Sequence, residues 1–128
     1  MNELRVIIAG SRDFNDYSLL KDSATKIIFS KTIQSSLIKI ISGGARGADK
    51  LGEQFANEIG LEIVRFPADW NGLGKRAGYV RNAEMAKFAV ADGNTGILIA
   101  FWDGVSKGTK HMIDLAERYG LKVHIVRF

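Results

Sequence analysis

Three glycine-bearing segments of this chain combine the residue types that proteins use to bind phosphate groups. They lie at positions 10–12, 43–49 and 103–109, and each follows a short apolar run and precedes an amphipathic stretch. Glycine lets the backbone approach a ligand closely, and the free N–H groups at the start of the next helix attract an anion. The residues of these segments that we predict to contact a phosphate are Gly10, Ser11, Arg12, Gly43, Gly44, Arg46, Gly47, Gly108 and Thr109.

The middle segment is the strongest of the three signals, because it reads Ser-Gly-Gly-Ala-Arg-Gly-Ala-Asp at positions 42–49. Its paired glycines open backbone conformations in which several N–H groups converge on one anion, whereas a tight strand-to-helix turn without a ligand is the alternative. It is neither a Walker A loop nor a G-x-G-x-x-G fingerprint, which argues against a dinucleotide dehydrogenase. Asp49 is suited to hold a ribose hydroxyl, although the helix dipole also favours an acid in a first turn.

Four more side chains outside these segments are candidates for the same site. Arg81 falls near the start of a predicted helix, where a cation opposes the helix dipole unless it faces an anionic ligand; a salt bridge to Glu84 is the alternative. Asn82 is suited to read a ribose or a base. Trp70 and Trp102 are candidates for stacking on a base, with packing beside the sheet as the alternative.

Several classes of site are not expected from the sequence. The chain has no cysteine, which excludes a disulfide scaffold, a thiol nucleophile and a thiolate metal site. His111 and His124 stand apart from other ligand-type residues, so we predict neither a metal site nor a cofactor. No G-x-S-x-G nucleophile elbow is present.

Composition favours a small anionic partner without naming it. The net charge is +4, yet no run of five basic residues occurs, so a nucleic-acid partner is less expected than an anionic small molecule. No apolar run approaches the ~20 residues that span a bilayer. The first apolar run is typical of a strand and not of a signal peptide, so we expect a cytoplasmic protein without membrane contact.

The elements that must position these residues alternate along the chain. Apolar runs predict strands at 4–9, 37–42, 61–66, 96–101 and 122–126, and helical periodicity separates them. Such alternation predicts one domain over residues 1–128, an α/β Rossmann-like three-layer sandwich whose five-stranded parallel sheet has the order 3-2-1-4-5. We expect Asn15 or Asp16 to cap the first helix and Thr109 the last, and residues 67–78 to form an irregular, mobile flap beside the site.

Taken together, the motifs resemble those of the SLOG superfamily, and within it the YspA/YpsA-like branch. The carriers are residues 10–14, 42–49, 67–70, 78–85 and 107–109, so the resemblance runs through nearly the whole chain. It implies a Rossmann-like fold that binds a nucleotide or a nucleotide-derived ligand, in many members as a homodimer. This is our leading prediction.

A second group that the chain resembles is enzymatic. The "lonely guy" phosphoribohydrolases release the base from a nucleoside monophosphate with the motifs R-K-x-x-M and P-G-G-x-G-T-x-x-E. Arg81 and Met85 match the first motif, and Gly108 and Thr109 match the second, but its catalytic glutamate falls on Met112. Nucleotide N-glycosidase activity, with Arg81 as a catalytic residue, is therefore the alternative prediction.

A third resemblance, to DNA-processing protein A, rests on residues 42–49 alone. That protein carries a similar Ser-Gly-x-Ala-Arg-Gly-x-Asp run in its Rossmann core and loads recombinase onto single strands. Binding of this kind needs a basic groove with stacking aromatic side chains. Single-stranded DNA binding is accordingly the weaker alternative.

Overall fold

Five apolar segments form one parallel sheet in the computed structural model, which describes residues 2–30 and 33–128. The sheet order is β3-β2-β1-β4-β5, so both the predicted fold class and the predicted strand order are confirmed. Ile7 on the central strand pairs with Ile41 on one side and with Leu98 on the other. The strands are β1 (Leu4–Gly10), β2 (Ile38–Ser42), β3 (Glu62–Arg65), β4 (Thr95–Trp102) and β5 (Lys122–Arg127).

Helices cover both faces of the sheet. The helices are α1 (Tyr17–Ile28), α2 (Ala48–Ile59), the one-turn α3 (Trp70–Leu73), α4 (Ala77–Val90) and α5 (Lys107–Arg118), with 3₁₀ turns at Ser35–Leu37, Gly74–Arg76 and Ala91–Gly93. Within the described ranges, no helix has the length and apolar character needed to cross a bilayer.

Successive residues of the central strands enter two different cores. Val6 and Ile8 pack with α1 and α2, whereas Ile7 and Ala9 pack with α4 and α5. Because both faces are covered, β1 and β4 are apolar at nearly every position and do not alternate. The edge strands β3 and β5 are more exposed.

Helix ends follow the local chemistry, with one exception. The Asp16 carboxylate accepts the N–H of Leu19 at 3.1 Å and caps α1, as expected. The prediction that Thr109 caps the last helix is wrong, because α5 already begins at Lys107 and Thr109 lies buried inside its first turn. The Asp103 carboxylate accepts the N–H groups of Val105 and Ser106, and this tight turn starts the helix earlier.

The segment 67–78 is more regular than its two glycines suggest. Asp69 Oδ1 accepts the N–H of Gly72 at 2.9 Å, which closes the single turn of α3, and the 3₁₀ turn Gly74–Arg76 leads directly into α4. The expectation of an irregular stretch is therefore wrong, because one helical turn is too short to show a period in the sequence. Its mobility stays a prediction.

Candidate functional site

A cavity of about 470 Å³ opens at the carboxyl end of β1. Its walls come from the loop after β1, the glycine loop before α2, the segment around α3, and the first halves of α4 and α5. The volume is in the range of pockets that hold a small organic ligand. The sequence-predicted residues that line it are Gly10, Ser11, Arg12, Arg46, Asp49, Trp70, Arg81, Asn82, Gly108 and Thr109.

Gly10 and Ser11 are fixed by close packing between strand and helix. A Cβ at Gly10 would overlap the carbonyl oxygen of Phe101 and lie 3.0 Å from the Cβ of Ala48. The N–H of Ser11 donates to Phe101 at 3.0 Å, and the Ser11 carbonyl accepts the N–H of Ala48 at 3.3 Å. The floor of the cavity is thus held by backbone hydrogen bonds, while the side chain of Arg12 is exposed at its rim.

The three predicted glycines of the middle loop lie in three different settings. Gly47 has φ +82°, and a Cβ there would lie 2.7 Å from the carbonyl carbon of Arg12, so it is needed where two loops meet and does not line the cavity. Gly44 has φ +76° with open space around it. A Cβ on Gly43 would lie 2.8 Å from Cζ of Arg81. Gly43 and Gly44 face a neighbouring hollow instead.

Asp49 is the buried carboxyl group of the cavity wall, with 5% of its surface exposed. Its Oδ2 accepts the N–H of Ala45 at 3.2 Å, which closes the glycine loop. Burial raises the pKa of Asp49 to about 6, against the lowering effects of the Ala45 N–H and the Arg81 charge. It lies in the first turn of α2, as expected; the ribose contact stays a prediction.

Arg81 lies between the glycine loop and the cavity. Its Nη1 donates to the carbonyl oxygen of Gly43 at 2.7 Å, and its Nε donates to Oδ1 of Asn82 at 3.1 Å. Burial lowers the pKa of Arg81, although the Asp49 charge acts in the opposite direction. α4 begins at Ala77, so Arg81 is in its second turn and the helix-dipole argument for it is weaker than the sequence suggests. Among the described residues it forms no salt bridge with the exposed Glu84.

Asn82 joins α4 to the start of α5. Its Nδ2 reaches the carbonyl oxygen of Gly108 at 3.5 Å and lies 3.2 Å from Nδ1 of His111. Both ends of the amide are therefore used inside the protein, because its Oδ1 already accepts from Arg81. Asn82 positions its neighbours more than it offers a free group to the cavity.

The two tryptophans differ in their surroundings. Trp70 lines the cavity with half of its surface exposed, so its predicted stacking on a base stays available. Trp102 lies outside the cavity lining, where its Nε1 donates to the carbonyl oxygen of Ser106 at 3.1 Å and the Arg127 guanidinium lies 5.4 Å from its ring centre. Trp102 therefore packs beside the sheet, which was the alternative to stacking on a base.

Sequence comparison assigns the chain to a family. The family model described as "YspA, cpYpsA-related SLOG family" matches residues 4–72. The chain belongs to this SLOG family. It is also 33% identical over 124 residues to Gene 61 protein of Mycobacterium phage D29, a match that covers 93% of each chain. No solved structure matches. Membership confirms the resemblance and supports, in general terms, a role in binding or processing a nucleotide-related ligand.

Some cavity residues of this SLOG chain were not among the predicted contacts. Lys75 lines the cavity, as do Tyr79 and Lys107, which lie within the motifs 78–85 and 103–109 but were not assigned a contact themselves. Lys75 looks like ordinary surface charge in the sequence, and only the fold brings it to the cavity. Met112 also lines the cavity, with 1% of its surface exposed, and it belongs to the apolar core under α5. No acidic group stands at the position of the phosphoribohydrolase glutamate.

Proposed function

We propose that this protein binds or senses a nucleotide or a nucleotide-derived ligand in the cavity and does not cleave it. One observation carries the proposal: the first turn of α5 and five cationic side chains border the same cavity as the buried Asp49. The cations are Arg12, Arg46, Lys75, Arg81 and Lys107.

The phosphate is assigned to the start of α5. Helix geometry leaves the first N–H groups of a helix without an intrahelical acceptor, here those of Lys107, Gly108 and Thr109. A Cβ at Gly108 would meet nothing within 4 Å, so the backbone there is open to a ligand. Anions bind well at such a terminus because the dipole and the free donors act together.

The sugar and the base are assigned to the opposite wall. Asp49 offers carboxylate oxygens as acceptors for ribose hydroxyls, whereas the amide of Asn82 is already engaged within the protein. The half-exposed ring of Trp70 offers a flat apolar surface to a base. This order places the charged end of the ligand near the cations and its aromatic end near Trp70.

We favour binding over release of the base because Met112 replaces the carboxylate that would stabilise the sugar during cleavage. Release of a base develops positive charge on the sugar, and an enzyme stabilises that charge with a placed carboxylate. The methyl thioether of Met112 supplies none. Within the described chain the carboxyl groups that line the cavity are Asp49, assigned here to the ribose hydroxyls, and Asp13, which is exposed and lies with Oδ1 3.8 Å from Nη2 of Arg46. Glu84, Asp69 and His111 are absent from that lining.

A homodimer is part of the proposal, following the SLOG resemblance. Ile125 on the edge strand β5 and the terminal Phe128 each expose nearly half of their surface. Exposed apolar side chains at a sheet edge support pairing with a second copy. Light scattering after size-exclusion chromatography tests this; a single species at the monomer mass of 14.1 kDa would contradict it.

The ligand proposal is tested by ligand-observed NMR with a mixture of AMP, GMP, CMP, ADP-ribose and NAD, followed over several hours. We expect saturation transfer to at least one nucleotide and no new signals. Free base or ribose 5-phosphate in the sample would instead establish hydrolysis. Absence of both transfer and products would contradict the proposed function.

A further inference from the structure

A second hollow of about 580 Å³ lies beside the cavity and continues it. Five residues belong to the walls of both the cavity and the hollow, so the two spaces are parts of one groove. The shared residues are Arg12, Ala45, Arg46, Trp70 and Arg81. A ligand bound in the cavity can therefore extend into the hollow past the guanidinium groups of Arg12 and Arg81.

The lining of the hollow is strongly cationic. It includes five basic side chains and, among the described residues, no acidic one. Lys50 comes from α2 and Arg65 from the end of β3, and neither lines the first cavity. These charges come from five separate parts of the chain, which is why the sequence shows no basic run.

Two buried acids, Asp49 and Glu53, lie beneath this surface, and Glu53 is already engaged by neighbouring donors. Glu53, with 6% of its surface exposed, accepts from Oγ of Ser42 at 2.7 Å and from Nε of Arg65 at 3.1 Å, and Nζ of Lys50 lies 3.9 Å away. Arg65 uses Nε in this pair, which leaves the donors of its two Nη groups for other acceptors. A guanidinium held in this way presents a fixed pair of donors to a phosphate.

We propose that the hollow is a second anion subsite, and that the ligand is a nucleotide carrying a second phosphate group. This inference rests on the proposed function of the cavity. The first phosphate lies at the start of α5, and the second is bound by Arg65 and Lys50, with Arg12 and Arg81 between them. The subsite thereby selects for nucleotides with two or more phosphate groups over monophosphates.

The test is isothermal titration calorimetry with the 5′-mono-, di- and triphosphates and the 3′,5′-bisphosphates of adenosine, guanosine and cytidine. We expect the best nucleotide with a second phosphate to bind about tenfold more tightly than its monophosphate. Lys50→Gln and Arg65→Gln should each reduce that advantage at least about threefold and leave monophosphate affinity within about twofold. Lys50→Gln keeps the Arg65–Glu53 pair, so it remains informative if Arg65→Gln unfolds. Lys122→Gln, on exposed β5, is the matched control and should change neither affinity.

Three outcomes would overturn the inference. If monophosphates bind and a second phosphate adds less than about twofold, the hollow is not a subsite although the proposed function stands. If no nucleotide binds, both proposals fail together. If oligothymidylates bind with an affinity that rises with length and falls steeply with salt, the groove serves single-stranded DNA instead of a small molecule.

Discussion

Arg81 donates a hydrogen bond from Nη1 to the carbonyl oxygen of Gly43 at 2.7 Å, which links residues 38 positions apart in the chain. The contact is possible because residue 43 has no Cβ, which would lie 2.8 Å from Cζ of Arg81. It fixes the guanidinium in the wall shared by the cavity and the hollow. Among the described cations that line the cavity, Arg81 is therefore the one that two hydrogen bonds to the protein hold in place.

Replacing Arg81 should weaken nucleotide binding. Arg81→Ala removes a partly buried cation from the cavity wall, and we expect affinity to fall at least about tenfold by calorimetry. Arg118→Ala, at the exposed end of α5, is the control. Unchanged affinity in Arg81→Ala would place the ligand's charge elsewhere.

Gly43→Ala should produce much of the same loss without removing the charge. The new methyl group would overlap the end of the Arg81 side chain and lie 2.9 Å from Oδ2 of the buried Asp49, so both side chains must shift. We expect affinity to fall several-fold while the free energy of unfolding falls by about 1–3 kcal/mol. Calorimetry and urea unfolding measure the two effects. A variant that binds like the wild type would show that the position of Arg81 against Gly43 is immaterial to binding.

Gly47→Ala should destabilise the fold more than Gly60→Ala does. Both glycines have positive φ, +82° and +78°, but only Gly60, with ψ +32°, lies in the left-handed helical region, where a side chain costs about 1 kcal/mol. Gly47, with ψ −130°, has a backbone conformation that residues with a side chain almost never adopt. Only at Gly47 does the added Cβ also overlap backbone atoms, those of Ser11 and Arg12, whereas nothing lies within 4 Å at Gly60. We expect a total loss of about 3 kcal/mol or more for Gly47→Ala in urea unfolding. Equal losses for the two variants would refute the close approach of the loops.

Asp49 should make the protein less stable as pH rises between 3.8 and about 6. Its pKa in the fold is about 6 because of burial, and its ordinary value is 3.8. Between these values the folded state holds more protons than the unfolded chain, so the free energy of unfolding falls as pH rises, by about 3 kcal/mol in all.

Asp49→Asn keeps an acceptor for the Ala45 N–H and removes the ionisation. The variant should gain stability relative to the wild type as pH rises from about 4 to 7, measured by urea unfolding. Groups with a lowered pKa, such as Glu3 and Glu58, are present in both proteins and cancel in the difference. Parallel pH profiles would mean that Asp49 ionises alike in the folded and unfolded states.

The sheet was predictable because its signals are local and repeated. Each strand is a continuous apolar run, and each long helix has a periodic apolar face, so parallel crossovers follow from their alternation. The same topology brings Gly10, Arg12 and the start of α5 to one sheet edge. The prediction that these residues meet at one edge of the sheet therefore required the topology alone and no side-chain contacts.

The parts that escaped prediction depend on contacts between distant segments. The separate roles of Gly43 and Gly47 are set by Arg81 and by the loop after β1, and neither partner is visible in the glycine motif. The early start of α5 depends on one carboxylate, that of Asp103, within the short turn that precedes the helix. The cations of the hollow are scattered in sequence and become neighbours only in the folded chain.

The contact of Gly47 with the loop after β1 also bears on how a ligand is received. The N–H of Ala48 donates to the Ser11 carbonyl at 3.3 Å, so the loops after β1 and β2 are clamped together before anything binds. Two independent loops would each lose conformational entropy when they close on a guest molecule. Here that entropy is already lost during folding, so the two loops are preorganised and the ligand does not have to order them when it binds.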